Sequence, residues 1–353
     1  MRKKLDKRQV CDDMDGLFDR FYAAKVAEGR SNITLENYRR FYNFFADYLD
    51  KNNIERNINV VDVDLMRDYI SWLLHEKVKF DGHKFKKDEH KQKGLAPRTV
   101  NNYIKAIKIF FNFLYEEGII PKNPIASLKK VKQPVEEINV LTAEELRALL
   151  KDPNQRSYAD FRDYTILKDM LDTMCRINEL LLLKKSDVDF KTKAIHIRAE
   201  IAKNRRSRYI PLSNKTSRLI AELNNDTSVF DSEYIFLTNY GERLKPNHFR
   251  KRLQNFAERA GIAKRVYPHL IRHTAATMFL ENGGDSRYLQ LILGHSDIRM
   301  VEVYTHLSKR SLAEQHKKHS AVNVIDSKLS KVCRKAIRRV NCESKPPNRT
   351  KNE

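Results

Sequence analysis

His269 and Arg272 stand three residues apart in the run His269-Leu270-Ile271-Arg272-His273, directly after Pro268. Proline is preorganised for the first turn of a helix. On a helix, the i, i+3 spacing sets the imidazole and the guanidinium side by side on one face. Gly294-His295 follows, with His295 23 residues beyond Arg272, and Tyr304 comes nine residues after His295. A guanidinium stays charged at every relevant pH and meets two phosphate oxygens at once. An imidazole can hold or move a proton, and a tyrosine hydroxyl can serve as a nucleophile. Together they predict phosphodiester chemistry carried by cationic side chains. No paired-carboxylate motif for magnesium is readable in the sequence, so no cofactor and no metal is expected.

The remainder of the chain suits a polyanionic partner. Its 68 Lys and Arg stand against 46 Asp and Glu, for a formal net charge of +22, which points to nucleic acid. A hydrophobic content of 41% excludes a disordered basic tail, and 353 residues are enough for two domains, each with its own core. No apolar run approaches the ~20 residues of a membrane span, so no membrane partner is expected. Met1-Arg2-Lys3-Lys4 opens no signal-peptide core. Cysteines at 11, 175, 333 and 342 form no disulfide framework. A reducing cytoplasm, on the nucleoid, is the expected location.

The order and gaps of His-x-x-R, Gly-His and Tyr resemble the C-terminal signature of the tyrosine recombinase (phage integrase) family. Upstream, Arg176-Ile177-Asn178-Glu179-Leu180 resembles that family's first catalytic-arginine box, R-x-x-E-L. Alone, Arg-x-x-Glu is an ordinary helix ion pair; it gains meaning from the downstream signature. The family usually has Gly two residues before this arginine, where this chain has Met174. The family also carries a catalytic lysine on a β-hairpin, and Lys203 in Lys203-Asn204-Arg205-Arg206-Ser207-Arg208 is the match.

The resemblance implies that Arg176 and Arg272 neutralise one phosphate and that Tyr304 attacks the phosphorus. Lys203 would protonate the leaving 5′ oxygen. His269 would act as base or donor, His295 would add a hydrogen bond, and Glu179 would orient Arg176. His273 and His306 are expected to be structural.

These residues need elements to position them. Leu17, Phe18, Phe21 and Tyr22, then Tyr38, Phe41, Phe45 and Leu49, are the apolar stripes of two amphipathic helices within 14–49. Gly29-Arg30-Ser31-Asn32 is the turn between them, with Thr34 as N-cap. A third helix starts near Asp62 or Asp64. Residues 77–94 read as a polar loop, and a fourth helix runs from Pro97 to about Glu117. Residues 10–130 therefore form a small helical domain that resembles the family's core-binding, SAM-like domain. Arg39, Arg40, Arg98, Lys105 and Lys108 are candidates to meet DNA phosphates.

Residues 131–138, charged and broken by Pro134, read as a linker. Thr142-Ala143-Glu144-Glu145 is a capping box and opens a catalytic domain over 139–315. A helix over Phe161–Met174 follows. Next come β-favouring runs at 188–190, 194–197 and 209–212, with Arg205 and Arg206 at a basic hairpin tip suited to the DNA backbone. Helices over 213–223, 246–260, 269–283 and 286–293, and a buried strand over 234–237, complete it. The expected fold is thus mainly α with a small antiparallel sheet, α+β.

The tail, 316–353, is basic; from 309 onward 13 Lys and Arg face 4 Asp and Glu. Ala321-Val322-Asn323-Val324-Ile325 is its one apolar run, suited to docking on a neighbouring subunit or on its own domain. His316, His319, Cys333 and Cys342 have poor spacing for zinc.

By resemblance the chain is a site-specific recombinase acting on double-stranded DNA as a homotetramer on two sites, without ATP. An accessory DNA-bending protein is a partner the resemblance leaves open. Residues before 10 leave no room for an additional arm-binding domain, which favours the integrase or transposase of a mobile element, or an Xer-like resolvase. A type IB topoisomerase shares the chemistry, and a non-catalytic DNA-binding regulator is the rival from another class.

Overall fold

The computed structural model describes residues 13–79, 92–133 and 139–294. His295, Tyr304, His306, the apolar run at 321–325 and the histidines and cysteines of the tail lie outside these residues. The chain divides into two compact units, Met1–Glu137 and Ile138–Glu353.

The first unit is helical: α1 (Met14–Ala27), α2 (Asn32–Lys51), α3 (Val63–His75) and α4 (Pro97–Glu116). Each start has a local cause. Asp13 and Asp62 cap α1 and α3 through side-chain oxygens, and Pro97 opens α4. The cap of α2 corrects the expectation. It is Ser31, whose hydroxyl accepts from the Thr34 amide, so Thr34 sits in the first turn. Ser31 leads because its extended backbone frees its oxygen toward the helix, whereas Thr34 is already helical.

Aromatic rings fill the space between these helices. Phe18 stacks on Tyr42 with ring centroids 3.9 Å apart, and Phe21, Phe45, Tyr69, Phe110 and Phe111 are buried around them. Val131 packs on this core and exchanges two hydrogen bonds with Asn101.

The second unit begins with α5 (Ala143–Lys151), opened by the expected capping box of Thr142 and Glu145. Then come α6 (Tyr158–Thr173), the single turn α7 (Ile177–Leu180) and a three-stranded antiparallel sheet. Its strands are β1 (Val188–Asp189), β2 (Ala194–Ile197) and β3 (Arg208–Pro211), in the order β1-β2-β3 with Ile195 opposite Ile210. Helices α8 (Asn214–Asp226), α9 (Pro246–Arg259), α10 (Pro268–Glu281) and α11 (Ser286–Leu293) follow. Helix α6 packs against both α8 and α10.

Residues 234–237 are not a strand. Ile235, Phe236 and Leu237 are buried, but Tyr234 and Leu237 make only isolated bridges, to Lys184 and Arg243. The apolar run was legible; the lack of a continuous ladder partner was not. Among the described residues, no helix is long and apolar enough to cross a membrane.

Candidate active site

Helix α6 is followed by its C-cap Met174, which adopts the left-handed conformation (φ +53°, ψ +26°). A side chain there costs roughly 1–2 kcal/mol, and this is the position where the resembling family has glycine. The turn survives the substitution because Met174 is buried in an apolar cluster with Ala276, Leu280 and Leu289. Its carbonyl accepts from Arg272 Nη1 at 2.5 Å. The reversal releases Arg176 at the start of α7.

Glu179 is almost wholly buried. Its Oε1 accepts from Arg176 Nη1 at 2.9 Å, and its Oε2 accepts from the Arg176 amide at 3.2 Å. A second guanidinium meets it from β3, with Arg208 Nη2 donating to Oε2 at 2.7 Å. Burial opposes the charged carboxylate, but Arg208 and then Arg176 outweigh it and hold its pKa below the usual value.

The end of α11 is gripped from three directions. Its last carbonyls have no helical partner. Ile292 O accepts from Arg208 Nε at 3.0 Å and Leu293 O from Arg272 Nη2 at 2.8 Å. Gly294 O accepts from the Asn204 side-chain amide at 3.1 Å. Cations suit this end of the helix dipole. Gly294 is itself left-handed (φ +62°), and a Cβ there would stand 3.2 Å from the Arg208 guanidinium. Thus α10, β3 and the 198–207 loop each hold one of the last three carbonyls before His295.

His269 is exposed in the first turn of α10, while Arg272, one turn on, is buried. Burial first, then the charges of Arg272, Arg250, Arg176 and Lys203, lower the His269 pKa. Three of these charges come from the predicted set and from three distant segments. Lys203 lies exposed in the loop between β2 and β3. The pKa of His273 is also lowered, by burial and by its two signature neighbours, His269 and Arg272.

Two residues of this neighbourhood escaped the sequence reading. Arg250 on α9 is one, and nothing in its helix distinguishes it from solvated neighbours. Arg208 is the other, and a signal existed. It shares the inward parity of β3 with buried Ile210, so a charge there needs a partner.

The predicted DNA contacts are of two kinds. Arg39 lies 4.2 Å over the Tyr22 ring and Arg40 lies 4.9 Å over Phe41. Arg40 also lines a cleft of about 1080 Å³ with Lys77, Lys79 and Lys93. Arg98, Lys105, Arg205 and Arg206 are exposed. The Lys108 ammonium donates to Leu128 O at 2.5 Å and Ala126 O at 3.4 Å, so it ties down the chain after α4.

Residues 139–311 match the phage integrase family, and residues 17–132 match the phage integrase SAM-like domain. A tyrosine recombinase XerC of Chlamydia trachomatis is 30% identical over 225 residues, spanning 63% of this chain and 70% of the relative. The chain belongs to the tyrosine recombinase family. A tyrosine recombinase XerD of Listeria innocua is 27% identical over 311 residues, covering 86% of this recombinase and 98% of the relative. The fold is shared with the XerH site-specific recombinase bound to a palindromic difH substrate (TM-score 0.64, 20% identity, 83% and 82% of the chains). It is shared equally with the Tn1549 transposon integrase in complex with circular intermediate DNA (TM-score 0.64, 19% identity, 85% and 98% of the chains). As a member of the family, the recombinase is a DNA strand-exchange enzyme.

Proposed function

We propose that this recombinase cuts and rejoins double-stranded DNA at specific sites through a 3′-phosphotyrosine on Tyr304. The observation that carries the reading is that both signature arginines are fixed to one helix end, Arg272 directly to Leu293 O and Arg176 through Glu179 and Arg208 to Ile292 O, where the chain leads on to His295. In the forward step the Tyr304 oxygen attacks phosphorus and its proton passes to His269. The bond to the 5′ oxygen breaks, and that oxygen takes a proton from Lys203. Arg176 and Arg272 neutralise the non-bridging oxygens, and His295 donates to them as charge develops. Rejoining is the reverse, with a 5′ hydroxyl of a second DNA end as nucleophile, so the phosphodiester energy is retained. Cationic side chains supply the charge compensation, so cleavage should proceed in excess EDTA.

The SAM-like unit would grip the backbone through Arg39, Arg40, Arg98 and Lys105, and the hairpin loop through Arg205 and Arg206. Four copies on two DNA sites would exchange strands in pairs. Two biological roles fit the relatives: the integrase of a mobile element, as with the Tn1549 protein, and resolution of DNA dimers, as with Xer recombinases. Supplying the flanks of the gene as one substrate and directly repeated chromosomal sites as another separates them. Insertion or excision at the flanks supports the first, and deletion between the repeats supports the second.

Tyr304→Phe tests the chemistry. It should bind DNA yet form no denaturant-resistant adduct on a nicked substrate. An adduct with the Phe variant would require another nucleophile.

A further inference from the structure

Arg208 has no part in the chemistry above, yet it is the side chain on which three parts of the site meet. It opens β3 opposite Ile197 and is nine-tenths buried. One nitrogen, Nε, donates to the α11 carbonyl of Ile292 at 3.0 Å. Another, Nη2, donates to Glu179 at 2.7 Å, on the carboxylate that also fixes Arg176 by its amide and its side chain. The third nitrogen, Nη1, is buried and makes no hydrogen bond. Such a group is retained at a cost to stability, which argues that the fork is placed for geometry.

We propose that Arg208 is a positioning residue for strand cleavage: it locks the Glu179–Arg176 pair to the end of α11, so that the arginine contacting the phosphate and that helix end move as one body. The inference rests on the reading above, in which Arg176 serves the scissile phosphate.

The chemistry of the fork explains the residue type. A planar guanidinium can donate to a carboxylate and a carbonyl at the same time, each in plane; an ammonium is a point donor on a flexible stem and cannot hold both directions. The close approach depends on Gly294, where any Cβ would press on the guanidinium carbon and on Nη1 at 3.2 Å. Arg208 also differs from Arg272 in what it joins. Arg272 ties the adjacent α11 carbonyl, Leu293 O, to Met174 O at the end of α6, whereas Arg208 ties Ile292 O to the Glu179 carboxylate. The two arginines thus anchor the same helix end to the two sides of Arg176 in sequence.

The test is a double-mutant cycle in the full chain, with a nicked duplex carrying the cognate site as the probe. DNA affinity and the single-turnover rate of covalent adduct formation are measured for Arg208→Gln, Glu179→Gln and the pair. Affinity should change little in all three. Each single variant should slow adduct formation about 100-fold, the scale of a misplacement near 1 Å. The double variant should be no slower than the worse single, because both remove the same lock. Arg208→Lys should recover thermal stability relative to Arg208→Gln but not the cleavage rate. If Arg208→Gln fails to fold, the same cycle is run with Arg208→Lys.

Multiplication of the two single effects, or full cleavage by Arg208→Lys, overturns the proposal. Failure of the underlying reading looks different: wild-type protein forms no adduct, or Arg176→Gln cleaves normally.

Discussion

The two units hold themselves together by different means. In the helical unit the buried set is aromatic and aliphatic, and Lys77 is the one buried charged residue among those described. Its cations face outward: Arg39, Arg40, Arg98 and Lys105 are exposed. The catalytic unit buries Arg162, Asp163, Asp169, Glu179, Asp187 and Arg272. A charge inside costs desolvation unless it is paired, and once paired it fixes direction more tightly than an apolar contact does. A surface that follows a DNA backbone needs cations on the outside of a stiff core. A site that orients one phosphate needs its charges fixed from within. The contrast makes the catalytic unit the one whose stability answers to pH and to single charge deletions.

The largest expected effect concerns Asp169. It is fully buried on α6, and its carboxyl oxygens make no hydrogen bond. Burial, then the Asp172 charge, pushes its pKa from 3.8 up to about 8. Between those values the folded chain keeps a proton that the unfolded chain releases. Stability therefore falls as pH rises through the window, by ~1.4 kcal/mol per pH unit, and levels off above it. Hydrogen exchange from pH 5 to 8 should show the catalytic unit loosening while the helical unit changes little. Asp169→Asn should flatten that slope; an unchanged slope in the variant would place its origin elsewhere.

Next in size is Asp163→Ala. Asp163 accepts from the buried Arg162 at 2.8–2.9 Å and from Arg252. Removing the carboxylate strands a buried guanidinium and should cost about 3–5 kcal/mol in denaturant unfolding of the catalytic unit. A loss under 1 kcal/mol would mean that the contact of Arg162 with Leu237 O at 2.9 Å is enough.

A smaller loss, about 1 kcal/mol, is expected for Thr142→Ala, which removes one half of the capping box on α5. No loss would show that the helix start is held by packing of Leu141 and Leu146 alone.

The smallest stability effect belongs to the helical unit. Neutralising Arg39, Arg40, Arg98 and Lys105 together should leave its melting temperature nearly unchanged, since exposed substitutions shift stability by within about 0.5 kcal/mol each. The slope of log affinity against log salt should become shallower by up to ~0.9 for each phosphate no longer neutralised. An unchanged slope would remove these residues from the DNA interface.

Much of this was legible in residues. Apolar stripes located α1 and α2, start signals at Asp62 and Pro97 located α3 and α4, the capping box located α5, and α8 to α11 lie within a few residues of their expected ranges. The i, i+3 pair of His269 and Arg272 fell on one helix as its spacing required. What the sequence concealed was pairing over long separations. Arg208 finds Glu179 and Ile292 O only through the fold, and the bonds of Lys108 to Ala126 O and Leu128 O span 18 and 20 residues. The 234–237 run shows the same limit, because apolar character predicts burial and cannot name a ladder partner. Met174 shows a further one: a left-handed residue without glycine is visible only in its backbone angles.

The central claim is that Tyr304 carries the DNA covalently while Arg176 and Arg272 neutralise the phosphate. The most direct measurement traps the wild-type protein on a nicked duplex in excess EDTA, digests both components and weighs the modified peptide. The account predicts a single adduct, with the nucleotide joined through its 3′ phosphate to the peptide containing Tyr304. A nucleotide on another residue, on the 5′ side of the break, or formed only after magnesium is restored would contradict it.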